Sequence, residues 1–236
     1  MALKDFKKEI ERCSACSYCK WIPFDQVKSW RFAKNCPSID YFNFNNYSAR
    51  GRYLTSRSIL REEIEITDEV IDIAHTCLSC GSCDVSCKIS RYNLEPLAMT
   101  RDLKAELVER DAFPEAQREL LANLRQQNNI YGKSRKNRGT WAEGLKIKDL
   151  TRETAEVVFH AGCSYSYDEQ LQGTVKTAVE ILDGAGVDFG ILGEKEMCCG
   201  ARIYSMGHFA AYERLALGNI KLWQRAGVKT VVTACS

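Results

Sequence analysis

Residues 77–87 read CLSCGSCDVSC, placing Cys77, Cys80, Cys83 and Cys87 in a C-x2-C-x2-C-x3-C run. Three thiolates at these intervals on one tight loop reach three corners of a four-iron cubane, and in two-cluster proteins the fourth cysteine of such a run serves the neighbouring cluster. A second copy of the device stands upstream, where Cys13, Cys16 and Cys19 share the two-residue spacing and Cys36-Pro37 follows. The same rule predicts one [4Fe-4S] cluster on Cys13, Cys16, Cys19 and Cys87, and another on Cys77, Cys80, Cys83 and Cys36. This exchange would lock the two segments together. Two features depart from the pattern: sixteen residues separate Cys19 from Cys36, and Lys88 stands where proline normally follows the last cysteine. Zinc is the competing reading, since paired C-x2-C units build tetrahedral sites, but it leaves the middle cysteine of each triplet idle.

The remaining cysteines form a third group: Cys163, the adjacent pair Cys198-Cys199 followed by Gly200, and Cys235. Thirty-four residues separate the first from the pair, and thirty-five separate the pair from Cys235. Vicinal cysteines are awkward as a disulfide and unusual in a zinc knuckle, yet two adjacent thiolates can bridge several irons. The plainer alternative is a buried apolar cysteine with a chance neighbour. Hydrophobic patterning argues for the first. Residues 156–160 (EVVFH) read as a short strand ending near Cys163, and a helical stripe of Leu171, Val175, Val179 and Leu182 follows until Gly184 and Gly186 stop it. Residues 187–192 make a second strand before Cys198-Cys199. A helix over 209–225 carries Leu215, Ile220, Leu222 and Trp223, and residues 228–233 make a third strand that delivers Cys235. Alternation of strands and helices predicts a parallel sheet with right-handed crossovers, and each cysteine group then follows the carboxyl end of a strand, where open α/β sheets bind ligands.

Composition sets the setting for this chemistry. The chain has 236 residues with 33 basic and 31 acidic side chains, a formal charge of +2, which gives no overall field for nucleic acid or an anionic membrane. It has no apolar run of about 18 residues, and its opening, MALKDFKKEI, is charged and amphipathic without the apolar stretch of a secretory signal. No direct membrane span and a cytoplasmic location are expected. In that reducing compartment 12 cysteines point to metal or redox use over disulfides.

Elsewhere the first half reads as helical. Thr67 is a candidate N-cap for a helix with Val70, Ile71 and Ala74 leading into Cys77, residues 96–110 carry Met99, Leu103 and Leu107, and Pro114 opens a helix with Ala116, Leu120, Leu121 and Leu124. The insertion between Cys19 and Cys36 interleaves Trp21, Phe24, Trp30 and Phe32 with Lys20, Lys28, Arg31 and Lys34. It reads as an apolar cover for a cluster, or as a docking surface for a redox partner. Residues 126–152, polar and broken by glycines with Lys133, Arg135, Lys136 and Arg138 close together, read as a solvated linker. The alternative for those four is a steering patch for an acidic partner or a nucleotide-bearing cofactor. His75, His160 and His208 are assigned no ligand role, and no P-loop, flavin fingerprint or Ser-His-Asp set occurs.

The order of parts, a two-cluster module followed by C-x34-C-C-G-x34-C, resembles the heterodisulfide reductase family with its cysteine-rich CCG domains, in a form that fuses the two-cluster part to the CCG part. The resemblance implies a mostly helical two-[4Fe-4S] ferredoxin-like domain over 1–126, a linker over 127–152 and a parallel-sheet α/β CCG domain over 153–236, an α + α/β chain. It also implies that the motif closes with a further cysteine three positions after Cys235 and that a second CCG repeat follows, so the chain reads as the N-terminal part of a longer polypeptide. Cys163, Cys198, Cys199 and Cys235 become candidate metal ligands for a noncubane [4Fe-4S] cluster, with zinc as the alternative. The implied function is electron relay in a multi-subunit, anaerobic oxidoreductase, through two [4Fe-4S] clusters to the CCG site or to a partner. The partners implied are other redox proteins of the complex, carrying flavin or iron–sulfur groups. The alternatives are a catalytic thiol/disulfide reductase of heterodisulfide type and a zinc-stabilised scaffold.

Overall fold

The computed structural model describes residues 3–89 and 93–235. The chain divides into two compact units, Met1–Pro114 with Arg202–Phe209, and Glu115–Ala201 with Ala210–Ser236.

The first unit is helical. Its elements are α1 (Lys7–Arg12), α2 (Pro37–Phe42), α3 (Ala49–Leu60), α4 (Asp68–His75), α5 (Ser82–Ile89) and α6 (Pro96–Glu109). Pro37 and Pro96 each sit in a first turn, where their missing N–H costs nothing. Thr67 takes the extended backbone of an N-cap before α4, and α6 matches its predicted span. Leu3, Phe6, Ile10, Tyr53, Ile59, Val70, Met99, Leu103 and Leu107 make the core. Helix α3 was not legible from the sequence. Its buried face mixes Gly51, Arg52, Thr55 and Ser56 with Tyr53 and Ile59, so no apolar stripe announces it. Gly51 is required by close packing: a Cβ there would lie 2.3 Å from the Cα of Asn46.

The second unit holds α7 (Ala116–Gln127), β1 (Lys148–Asp149), β2 (Val157–His160), α8 (Gly162–Tyr167), α9 (Gln172–Gly184), β3 (Phe189–Ile191), the start of α10 (Ala201–Ser205), α11 (Phe209–Arg225) and β4 (Thr230–Thr233). All strand pairs are parallel, in the order β1-β3-β2-β4. The three predicted strands and both crossover helices are present. Val175 and Val179 of α9 and Leu215 of α11 are buried as expected, whereas Ile220 is exposed.

Residues 127–152 are not a solvated linker. A 3-10 stretch over Arg135–Ala142 buries Arg138 and Trp141, Leu150 packs in the core beside β2, and β1 adds an edge strand to the sheet. Too short to show a period, β1 is invisible to pattern reading, and a buried arginine looks like a surface one until its partner is placed.

Candidate functional site

In the first unit the two cysteine runs fold into loops of one design. Ala15 and Ser17 have left-handed backbones (φ 57° and 73°), and the equivalent positions of the second run, Ser79 and Gly81, match them (φ 57° and 77°). Three of these four are not glycine, so each loop stores strain of the sort found where a ligand is cradled. These turns aim N–H groups at sulfur: the Ser79 amide donates to Cys77 Sγ at 3.4 Å.

Two cavities result. The first is lined by Cys13, Cys16, Cys19 and Cys87, with Ala49, Tyr53, Leu94 and Pro96 as apolar wall. The second is lined by Cys36, Cys77, Cys80 and Cys83, with Pro37, Leu97 and Arg52. The structure thus brings together the two sets that exchange of the fourth cysteine predicts, including Cys36 across its long insertion. Asn35 anchors that insertion, its amide donating to the Cys19 carbonyl (3.3 Å), the Ser82 carbonyl (3.0 Å) and Ser86 Oγ (2.9 Å). Trp21 pairs with Lys34 in an antiparallel bridge that closes the loop. Trp30 and Phe32 are 72% and 61% exposed, so these two rings form outer surface instead of a cover. Burial raises the Cys13 and Cys83 thiols and pushes Cys19 up to about 12, so metal coordination, which takes the thiolate, would have to offset that desolvation. Four sulfurs from two segments around a partly apolar cavity, with amides turned inward, suit a cubane.

In the second unit Cys163 opens α8 after β2, Cys198 and Cys199 follow β3, and Cys235 follows β4, all at the carboxyl edge of the sheet. Cys163 and Cys198 are buried, and Cys199 and Cys235 are exposed. Cys198 lies between Cys163 and Cys199 and hydrogen-bonds to both, which raises its own thiol and lowers the two neighbours.

Beside these sulfurs runs an ionic chain that sequence reasoning missed. Arg138, 1% exposed, donates from Nε to Glu196 Oε1 at 2.9 Å, from Nη1 to Cys163 Sγ at 3.6 Å and from Nη2 to the Met197 carbonyl at 3.2 Å. The buried Glu196 also faces His160 Nδ1 at 3.4 Å. Burial opposes the His160 imidazolium, but Glu196 and the contact with Cys199 outweigh it and raise its pKa. Asn219 of α11 holds the motif's backbone, donating to the carbonyls of Met197 (3.2 Å) and Cys198 (3.3 Å) and accepting from the Met197 amide (2.9 Å). A cationic donor at Cys163 and an imidazole at Cys199 stabilise thiolates, the form that binds metal or attacks a disulfide.

Comparison with known proteins matches a 4Fe-4S dicluster domain over residues 9–90 and a cysteine-rich CCG domain over residues 157–236. The chain is similar to a dihydromethanophenazine:CoB--CoM heterodisulfide reductase polypeptide of Methanosarcina mazei, at 28% identity over 97% of this chain and 55% of that protein. It also resembles a probable iron-sulfur-binding oxidoreductase, FadF, of Bacillus subtilis (30% identity, 71% of this chain, 24% of that protein) and the EtfAB:quinone oxidoreductase of Syntrophomonas wolfei (26%, 67% and 23%). The chain spans about half the length of the heterodisulfide reductase polypeptides it matches. No solved structure matches. The dicluster match supports two [4Fe-4S] clusters in the first half in place of zinc. Among the described residues no helix is long and apolar enough to cross a membrane.

Proposed function

We propose that this chain, in which a dicluster domain is followed by a CCG domain as in the heterodisulfide reductase polypeptides it resembles, is the iron–sulfur electron-transfer part of a multi-subunit oxidoreductase. The observation that carries this reading is the exchange of Cys36 and Cys87 between two cavities. Cys13, Cys16, Cys19 and Cys87 hold one cluster, and Cys77, Cys80, Cys83 and Cys36 hold the other. When bound, the clusters accept and release single electrons. The chain's residues hold them in cavities walled on one side by Tyr53, Leu94 and Pro96 and on the other by Leu97 and Pro37. Exclusion of water by such walls is one lever on a cluster's potential.

Cys163, Cys198, Cys199 and Cys235 form the onward site, as ligands of a noncubane cluster. Zinc is the alternative there. The partners are other redox subunits carrying flavin or iron–sulfur groups, and the exposed Trp30 and Phe32 beside Lys28 and Arg31 supply surface on which one can dock. A reducing cytoplasm, anaerobic in view of the exposed cysteines at both kinds of site, fits a chain with 12 cysteines.

A specific observation favours a second reading, in which the CCG site is itself catalytic: Arg138 at Cys163 and His160 at Cys199 prepare two thiolates for disulfide chemistry. Cleavage of a disulfide there takes two electrons and two protons and yields two thiols.

The test is iron, acid-labile sulfide and zinc per anaerobically purified chain, followed by a disulfide-reduction assay. About eight irons with equal sulfide would mean two cubanes alone, on the rule of four per cluster, and about twelve would add a CCG-bound cluster. Zinc throughout in place of iron would sink electron transfer. Cys198→Ser separates relay from catalysis, since it should abolish disulfide reduction while leaving both cubane signals.

A further inference from the structure

Two buried cations stand behind the cavity of Cys36, Cys77, Cys80 and Cys83, and among the described residues each hydrogen-bonds only to neutral acceptors. Lys104, 3% exposed, donates from Nζ to the carbonyl of Cys77 at 3.1 Å and to that of Ser205 at 3.0 Å. Arg52, 2% exposed, lines the cavity and donates from Nε to the Ile73 carbonyl (2.8 Å), from Nη1 to the Tyr47 carbonyl (2.8 Å) and from Nη2 to Thr76 Oγ1 (3.4 Å). The charged groups acting on Lys104 are the Cys77 sulfur, Arg52 and Arg101, and its charge in turn acts on His75, which His208 also faces. A buried cation without a counter-charge is costly; Arg52 lines this cavity and Lys104 grips the backbone of Cys77 in its wall, so a negative group in the cavity would supply the counter-charge.

The other cavity differs. Arg50 on its wall has a buried Nε without a hydrogen-bond partner among the described residues and donates from Nη1 to Ser17 Oγ at 3.2 Å. Its side chain and that of Arg57 towards Cys13 are only half-buried, so water and salt screen them in part, and the acidic Glu9 acts on Tyr53 in the wall. Asp84 lies 3.8 Å from Cys83 Sγ and accepts the Leu97 amide at 2.7 Å; half-buried and partly screened, it sets one negative charge at this site against two fully buried positive ones.

We infer that Lys104 and Arg52 are positioning residues that make the cluster on Cys36, Cys77, Cys80 and Cys83 the one of higher potential. A single electron shared between the two then rests there, with this cluster reduced and the one on Cys13, Cys16, Cys19 and Cys87 oxidised. The inference rests on the two-cluster reading above. Reduction adds one negative charge, and an unscreened buried cation favours that state, net charge being one of the factors that set a cluster's potential. The ammonium is held in place from behind. Gly207 has a left-handed backbone and would place a Cβ 2.6 Å from the backbone of Lys104 and Ala105, so only glycine lets this segment lie against α6 and present the Ser205 carbonyl.

The test is an anaerobic potentiometric titration, read by electron paramagnetic resonance, of the iron-loaded full chain and of Lys104→Met and Lys104→Arg, with iron and sulfide counted first. Two midpoints are expected. Lys104→Met should lower the higher one by at least tenfold in the one-electron equilibrium constant, about 59 mV, and leave the lower in place, while Lys104→Arg restores it. A fall in the lower midpoint, an equal fall in both, or no movement with the iron retained would overturn the inference. If Lys104→Met loses iron, Lys104→Gln keeps a donor without the charge and is held to the same outcomes. A native chain without iron would remove the two-cluster reading itself. Iron retained with an unmoved midpoint removes only the role of Lys104.

Discussion

Arg138 and Asp102 show how much turns on single buried charges. Arg138→Met would leave the Glu196 carboxylate buried without its main partner, and a loss of about 3–5 kcal/mol is expected. Urea unfolding should show it, with the double variant Arg138→Met, Glu196→Gln recovering most of the loss. Asp102 is buried, its Oδ2 has no hydrogen-bond partner, and burial pushes its carboxyl up to about 6. The folded chain therefore holds this proton more tightly than the unfolded one. The associated stability is complete below about pH 4 and is lost as pH rises through about 6. Asp102→Asn cannot ionise, so it should gain about 3 kcal/mol over the native chain between pH 4 and pH 8, measured as the pH dependence of the denaturation midpoint. The sequence marks Arg138 only as one of a basic run and Asp102 not at all. A lysine or arginine within a basic run has the same letter whether solvated or buried, and only the fold supplies Glu196, 58 positions downstream of Arg138. The cysteines were legible because their spacing is itself the geometry of the site.

Among the elements, α3 decides whether both cavities exist. Its Ala49 lines each of them, Tyr53 faces the first and Arg52 the second. Gly51 between them packs backbone to backbone on the turn Asn45–Tyr47. Gly51→Ala should therefore cost about 3 kcal/mol by overpacking and reduce iron at both sites together, whereas Cys36→Ser should weaken one site alone. Counting iron and resolving the two signals in each variant distinguishes these outcomes. The long periodic helices α6 and α11 and the strands before each cysteine were readable, since their apolar spacing survives without tertiary context. Helix α3 was not, because it buries serine, threonine, arginine and glycine. Strand β1 was not, because two residues carry no period.

For the molecule as a whole, the two units have separate cores, one around Tyr53 and Leu103 and the others around Phe159 and Val158. Calorimetry on the loaded chain should show two transitions. Oxidative removal of iron from the cubane sites should lower the one belonging to the helical unit, where ligand binding and folding are linked, by more than it lowers the sheet unit's. Equal shifts would mean one cooperative block. Long-range division of the chain was only partly legible. The order of a helical part and an α/β part follows from patterning, but the return of residues 202–209 to the first unit leaves no mark in composition.

That return limits how such a protein can be taken apart or inherited. The chain leaves the helical unit after Pro114, re-enters it at Arg202 and leaves again after Phe209. A gene cut at any single point before Arg202 would produce a helical fragment lacking the Ser205 carbonyl that Lys104 grips and the Gly207 turn that fits against α6. Recombination that swapped the two parts as beads on a string would thus hand the recipient an unfinished redox module, and lineages carrying this arrangement should exchange both parts together or neither.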